Sequence, residues 1–415
     1  MVNLHKNFSE RFYSLNKYSN LAVFIYGFFY VLLIKLIAGN DLPFWTDEHH
    51  FYDTVKLFAE KPDLYTLKHY PELNTPLPFI LYALWGKLAG FSPDQLRIFS
   101  LLLAFITIQV LYRFFSLFYT KKIIPASLTV LFTINIYMPG LSYFIYTDMT
   151  AILCMLLAAY FYLKKQPFFL FLFLLLAMMS RQYMVFITFA IFLHSLFLFR
   201  NKKESSSILY RNIAAVVLSV FAMIPLFVFW GGLSPDNAQA MSEAKREYLS
   251  EGIRYNISAA IAYLSNLSVY AAPLVFIFFF MRRKFIQKKE ILFASVIALL
   301  YFFLPVRASF FAVRDGFPHI GFVHKLLSNH LPLLLVDGFY YLCFTSTLLV
   351  LWMSVKDFFI SKDVYTLLLL LTIGSFLLFM PFAPIIWEKY LIPVLPFFFL
   401  LILPKEIIEN RLKAV

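Results

Sequence analysis

The sequence predicts an all-α, polytopic membrane protein, and three observations predict it. Of 415 residues, 61% are hydrophobic and only 14% are charged, where a soluble domain has about a quarter charged. The apolar residues gather into runs near the length of about 20 residues that crosses a bilayer as helix. Short basic clusters separate these runs, and the 52 Phe and 26 Tyr suit lipid-facing packing and the headgroup belt.

The runs are Leu21–Ala38, Leu96–Phe118, Ile123–Tyr143, Met149–Leu163, Phe168–Ser180, Met184–Phe199, Asn212–Trp230, Ala259–Phe280, Ile291–Leu304, Leu331–Ser354, Tyr365–Pro381 and Pro384–Pro404. They predict one transmembrane domain of about eleven to thirteen helices. A further run, Pro76–Gly90, opens on Thr75-Pro76-Leu77-Pro78 and carries one charge, Lys87. Charge parity assigns it to the outer surface as an interfacial helix. With residues 1–20 (Lys6, Arg11, Lys17) cytoplasmic, Lys121/Lys122, Lys164/Lys165, Arg200/Lys202/Lys203, Arg282–Lys289, Lys356/Lys362 and the C-terminal tail then fall inside. If Pro76–Gly90 crossed, several of these clusters would flip outside. Three long loops, residues 39–95, 231–258 and 305–330, come out on the outer or lumenal side. The polar N-terminus followed by a long apolar run does not read as a cleavable signal peptide. The net charge of +13 follows topology, so nucleic acid is not the expected partner. Cys154 and Cys343 lie in apolar runs and read as packing residues.

Five polar groups stand out. Asp47-Glu48, in FWTDEHHFYDT, follows the first run. A carboxylate there can act as a general base on a sugar hydroxyl. The plain alternative is a helix start, with Thr46 capping and the two acids in the first turn. Asp47, Glu48, His49 and Asp53 supply metal-ligating types but no i, i+4 His pair. Asp148, in YTDMT, begins an apolar run and reads as a binding residue or an N-cap. Arg181-Gln182 falls between two short runs, and an Arg there needs a carboxylate or a lipid phosphate. The loop VRDGFPHIGFVHK holds Arg314, Asp315, His319, His324 and Lys325. It suits a phosphate or diphosphate, or is an ordinary solvated loop. Glu388, Lys389 and Tyr390 interrupt the last apolar stretch, where charge must pair or face a cavity.

The order of these motifs resembles membrane glycosyltransferases of the GT-C superfamily. It is most similar there to the terminal α-1,2-glucosyltransferase family of the dolichol-linked oligosaccharide pathway. FWTDEHHFYDT looks like that family's acidic motif and LNTPLPFILY like its Thr-Pro-Pro segment. YTDMT, SRQYMV, VRDGFPHIGFVH and WEKYLIP follow in the family's order, from Asp47 to Pro393. The chain departs where Arg314, not Gly, precedes Asp315 and where Lys389, not Arg, precedes Tyr390. The resemblance implies a bundle with juxtamembrane helices in the first outer loop. It implies inverting transfer of a hexose, glucose first, from a polyprenyl-phosphate donor on dolichol or undecaprenol. The acceptor would be a lipid-linked oligosaccharide or other glycan. Asp47 would be the base and Glu48 a second catalytic or acceptor-positioning group. Arg181, Arg314, His319, Lys325 and Lys389 would stabilise the lipid-phosphate leaving group. His49, Asp148, Gln182, Asp315, His324, Glu388 and Tyr390 would line the substrate site. With cations available, no metal cofactor is required, although a divalent metal fits some superfamily members. The membrane would be the endoplasmic reticulum or a bacterial inner membrane, whose lipids surround the bundle.

Two rival classes are framed by the same residues. A secondary transporter or flippase also needs many spans and intramembrane polar groups, but normally shows symmetric halves and Gly-broken helices. No internal repeat is evident, and the chain has only 12 Gly. An outer-face transferase modifying another lipid or a protein would use the same acidic loop.

Overall fold

A computed structural model describes residues 2–39, 42–201, 205–239, 255–308, 313, 316, 318–383 and 386–403. Arg314, Asp315, residues 240–254 of the second long loop and the C-terminal tail lie outside the described residues. The protein is 79% helical, with no strand among the described residues.

Among the described residues, six helices are long and apolar enough to cross a membrane: Tyr18–Ala38, Pro93–Phe115, Gln182–Arg200, Ser206–Trp230, Leu333–Ser361 and Val364–Phe382. The pair Ile257–Tyr270 and Ala272–Arg282 bends by 78° at its junction, with Pro273 opening the second helix. Counted as one broken span, it makes a seventh. The chain is an integral, multi-pass membrane protein.

This is fewer full-length spans than apolar runs, and the reasons are local. Asn135 and Pro139 divide Ile123–Tyr143 into the helices Ile123–Thr133 and Met138–Tyr143. The Asn135 side chain accepts from the Tyr137 amide at 3.0 Å in the break. In the last run, Glu388–Val394 forms a 3-10 turn containing Pro393, before the helix Leu395–Ile402. Asp148–Leu163 and Pro167–Ser180 are continuous but have 16 and 14 residues. At 1.5 Å per residue they reach roughly 24 and 21 Å, short of a core of about 30 Å. Leu77–Ala89, at 13 residues, is shorter still, which suits a surface position better than a crossing.

The described residues fall into two compact units. One is drawn from Met1–Met184 and Ala214–Ser242, the other from Val185–Ile213 and Glu243–Pro404. In the first, Pro93–Phe115 is the central helix, packed by the first helix, Leu77–Ala89, Ile123–Thr133 and Asp148–Leu163. A Ser92/Gln95 capping box starts it and satisfies amide donors that a helix end leaves open. The first helix stops at Gly39, whose φ of +68° is a left-handed exit that glycine permits. Residues 42–47 lead into three short helices, Glu48–Glu60, Leu64–His69 and Leu77–Ala89. In the second unit, Leu333–Ser361 packs on Ile257–Tyr270 and Lys288–Ala298, and Val185–Arg200 on Val364–Phe379.

Candidate functional site

The acidic motif is built on an unfavourable turn. Thr46 has φ +50°, a region that β-branched residues seldom adopt. Thr46 Oγ1 donates to the Tyr146 hydroxyl at 2.5 Å, and Tyr146 donates to the Trp45 carbonyl at 3.0 Å. Such a conformation costs about 1–3 kcal/mol and persists only where its surroundings over-determine it.

Glu48 supplies those surroundings. It is fully buried at 0% exposure. Arg97 meets it bidentately, Nε to Oε1 at 2.9 Å and a terminal nitrogen to Oε2 at 2.8 Å. The Trp45 and Ile145 amides donate to the same carboxylate at 3.2 and 3.1 Å. The remaining guanidinium donors reach the Leu42 and Pro43 carbonyls at 2.7 and 3.2 Å. Glu48 therefore anchors the loop from within and is out of a substrate's reach, which departs from a direct catalytic role.

Asp47 is the reachable acid. It takes the N-cap position of Glu48–Glu60 without a side-chain capping bond, and Thr46 precedes that position rather than filling it. Its side chain is 44% exposed and lies 3.7 Å from His50 Nε2. His50 Nδ1 lies 2.6 Å from Oε1 of Glu72, which is nearly buried. The acidic partners Asp47 and then Glu72 push the His50 pKa up to about 9. His49 is 70% exposed and pairs with Asp53 at 3.6 Å.

Asp148 and Arg181 form a second buried pair at 2.6 Å. Thr147, not Asp148, holds the N-cap position, without a capping bond. Gln182 donates to the Leu73 and Leu233 carbonyls at 2.5 and 3.2 Å, and Thr75 to the Met178 carbonyl at 2.8 Å. Lys68 and His69 pair with Asp236 at 3.7 and 3.4 Å, and Trp230 donates to the Leu67 carbonyl at 2.8 Å. Four separate sequence motifs thus gather at one end of the first unit.

The second unit holds its own cluster. Glu388 is 1% exposed. It accepts from the Val323 and His324 amides at 3.3 and 3.2 Å, from Tyr340 at 3.4 Å and from Tyr270. It thereby caps the helix Phe322–His330 from 64 residues away. The His319 and His324 rings lie 5.5 Å apart. Among the described residues, Nδ1 of each has no hydrogen-bond partner. Burial, then His319 and Arg307, lowers the His324 pKa to about 4. Lys325 is exposed, and Lys389 lies 5.9 Å from the Tyr390 ring. Arg307 is bidentate to Asp337 at 2.8 and 2.9 Å.

Sequence reasoning missed His50, Glu72, Arg97, Arg307 and Asp337. Arg97 and Asp337 carried a usable signal, since each is a charge inside an apolar run. Nothing in spacing pairs His50 with Glu72, because the turn between them is tertiary. Among the described residues, no three His, Cys, Asp or Glu side chains are grouped to hold a metal ion. No protein-family model matches the sequence, and no curated protein is significantly similar to it.

Proposed function

We propose that this protein is an inverting glycosyltransferase that moves a hexose from a polyprenyl-phosphate donor to a lipid-linked glycan acceptor at the outer or lumenal membrane face. One observation carries this reading. The Asp47 carboxylate is half-exposed on a turn that the buried Glu48–Arg97 pair holds, in the same unit as Asp148–Arg181. That arrangement suits a general base. An apolar groove of about 750 Å³, lined by Phe58, Leu64, Tyr65, Ile80, Leu84 and Lys87 among others, suits a lipid chain. The order of short motifs supplies the substrate class.

In the reaction, the acceptor oxygen bonds to the anomeric carbon while Asp47 takes the hydroxyl proton. The bond to the phosphate oxygen breaks, and the lipid phosphate leaves with the electron pair. Donors aimed at that developing charge lower the barrier. Glu48 acts indirectly, by fixing the loop. The test is transfer from a panel of short-chain polyprenyl-phosphate hexoses, read by mass spectrometry. Wild type should transfer, and Asp47→Asn should lose at least about 100-fold of the rate, the lower range for a positioned general base. Full activity in Asp47→Asn would remove the assigned base.

A transporter reading has one observation in its favour. The 78° break after Tyr270 sits beside the buried Glu388, and broken helices line transport sites. Flux of a lipid-linked sugar into liposomes without any turnover would select it.

A further inference from the structure

We propose that His50 is the positioning residue of this site: its imidazole, fixed from behind by Glu72, orients the Asp47 carboxylate for the transfer. The inference rests on the glycosyltransferase reading and adds to it two residues, His50 and Glu72, that no role above uses.

The geometry has three parts. Asp47 and His50 are three residues apart across the first turn of Glu48–Glu60, so their side chains share a face. His50 Nδ1 donates to Glu72 Oε1 at 2.6 Å, and the Thr54 hydroxyl donates to the same oxygen at 3.4 Å. That bond leaves Nε2 facing Asp47 Oδ1 at 3.7 Å. Glu72 is only 7% exposed. Turning the ring away would leave a buried carboxylate without its charged partner, which is strongly unfavourable. The neighbouring imidazole, His49, is turned to Asp53 instead, so a histidine at this place in the motif does not suffice.

The chemistry needs such a partner. A general base must present its lone pair to the acceptor hydroxyl in one direction. A cationic imidazole on its flank fixes the direction of the Asp47 carboxylate. His50 keeps its own proton throughout, and the acceptor's proton ends on Asp47. The acids facing His50 are Asp47 on its own turn and Glu72 on the following segment. Leu77–Ala89, which packs on this helix, carries one charged residue, Lys87, in its last turn. Glu48 and Arg97 neutralise each other. The two acids hold the ring cationic up to about 9, so the alkaline limit of activity should fall there.

The experiment uses the full chain in detergent or nanodiscs. It measures kcat/KM against pH, together with the His50 resonance in histidine-labelled protein, for wild type, His50→Asn, His50→Gln and Glu72→Gln. The expected result has three parts. In wild type, the alkaline limb and the His50 midpoint coincide near 9. Glu72→Gln moves both down together toward the ordinary histidine range of about 6.5. His50→Asn lowers kcat about tenfold or more, with the donor KM nearly unchanged. His50→Gln serves if His50→Asn folds poorly. Wild-type kcat and pH profile in the His50 variants would overturn the inference. So would a Glu72→Gln protein whose resonance moves while the alkaline limb stays. Failure of the wider reading shows differently, as a wild type that transfers from no donor, and it removes the inference as well.

Discussion

Asp47 and Glu48 are neighbours in sequence and opposites in environment, one half-exposed and one at 0% exposure. Breaking a buried, hydrogen-bonded pair by removing one partner costs about 3–5 kcal/mol. Glu48→Gln and Arg97→Met should each lose stability on that scale, read as a fall in thermal midpoint. Removing both partners should recover only part of the loss. The Trp45 and Ile145 amides, and the Leu42 and Pro43 carbonyls, would still lose their partners. Asp47→Asn should stay within about 0.5 kcal/mol of wild type, as surface changes do, and lose turnover alone. His324 gives a pH signature of opposite sign to that of His50. Its folded pKa, about 4, lies below the unfolded value of about 6.5, so the unfolded chain binds more protons between them. Its contribution to stability is complete above about pH 6.5 and is lost as pH falls toward 4. Thermal midpoints from pH 7.5 to 4.5 should drop more steeply in wild type than in His324→Gln.

At the level of elements, the helix ends decide more than the helix bodies. The apolar stretches were legible because each carries a near-continuous hydrophobic run. Their breaks were not, because a single proline or asparagine decides them against a background that favours helix. Pro93–Phe115 begins with a reciprocal Ser92/Gln95 box, which a Ser-x-x-Gln pattern announces. Ser92→Ala should cost about 1 kcal/mol, measured by chemical or thermal unfolding. The helix Phe322–His330 is capped instead by Glu388. Spacing cannot reveal that cap, since its two sides meet only in the folded chain. In the sequence Glu388 is a charge inside an apolar stretch; its place at a helix N-terminus, where an anion is favoured, accounts for its burial.

For the whole molecule, the proposed topology places the juxtamembrane helices and Lys165 on opposite sides of the membrane. Tyr65 is 73% exposed, and Lys165 lies beyond the far end of Asp148–Leu163. In intact cells or sealed vesicles of known orientation, a membrane-impermeant maleimide should label Tyr65→Cys from the outer side and Lys165→Cys only after permeabilisation. Cys154 is buried and Cys343 sits within a span, which keeps the native background low. Labelling of both positions from one side would invert or break the topology.

The sequence by itself determined the solvent of this protein. With 61% hydrophobic residues set in basic-bounded runs, helices in lipid are the arrangement that satisfies both side chains and backbone. It also marked the acidic turn, Asp148, Arg181 and Glu388 as polar groups in costly places. Tertiary structure decided what each of them does. Which acid is reachable follows from Arg97, 49 residues after Glu48, and which histidine faces Asp47 follows from Glu72, 22 residues after His50. Burial and ion pairing depend on distances across the fold, and local spacing carries none of that information.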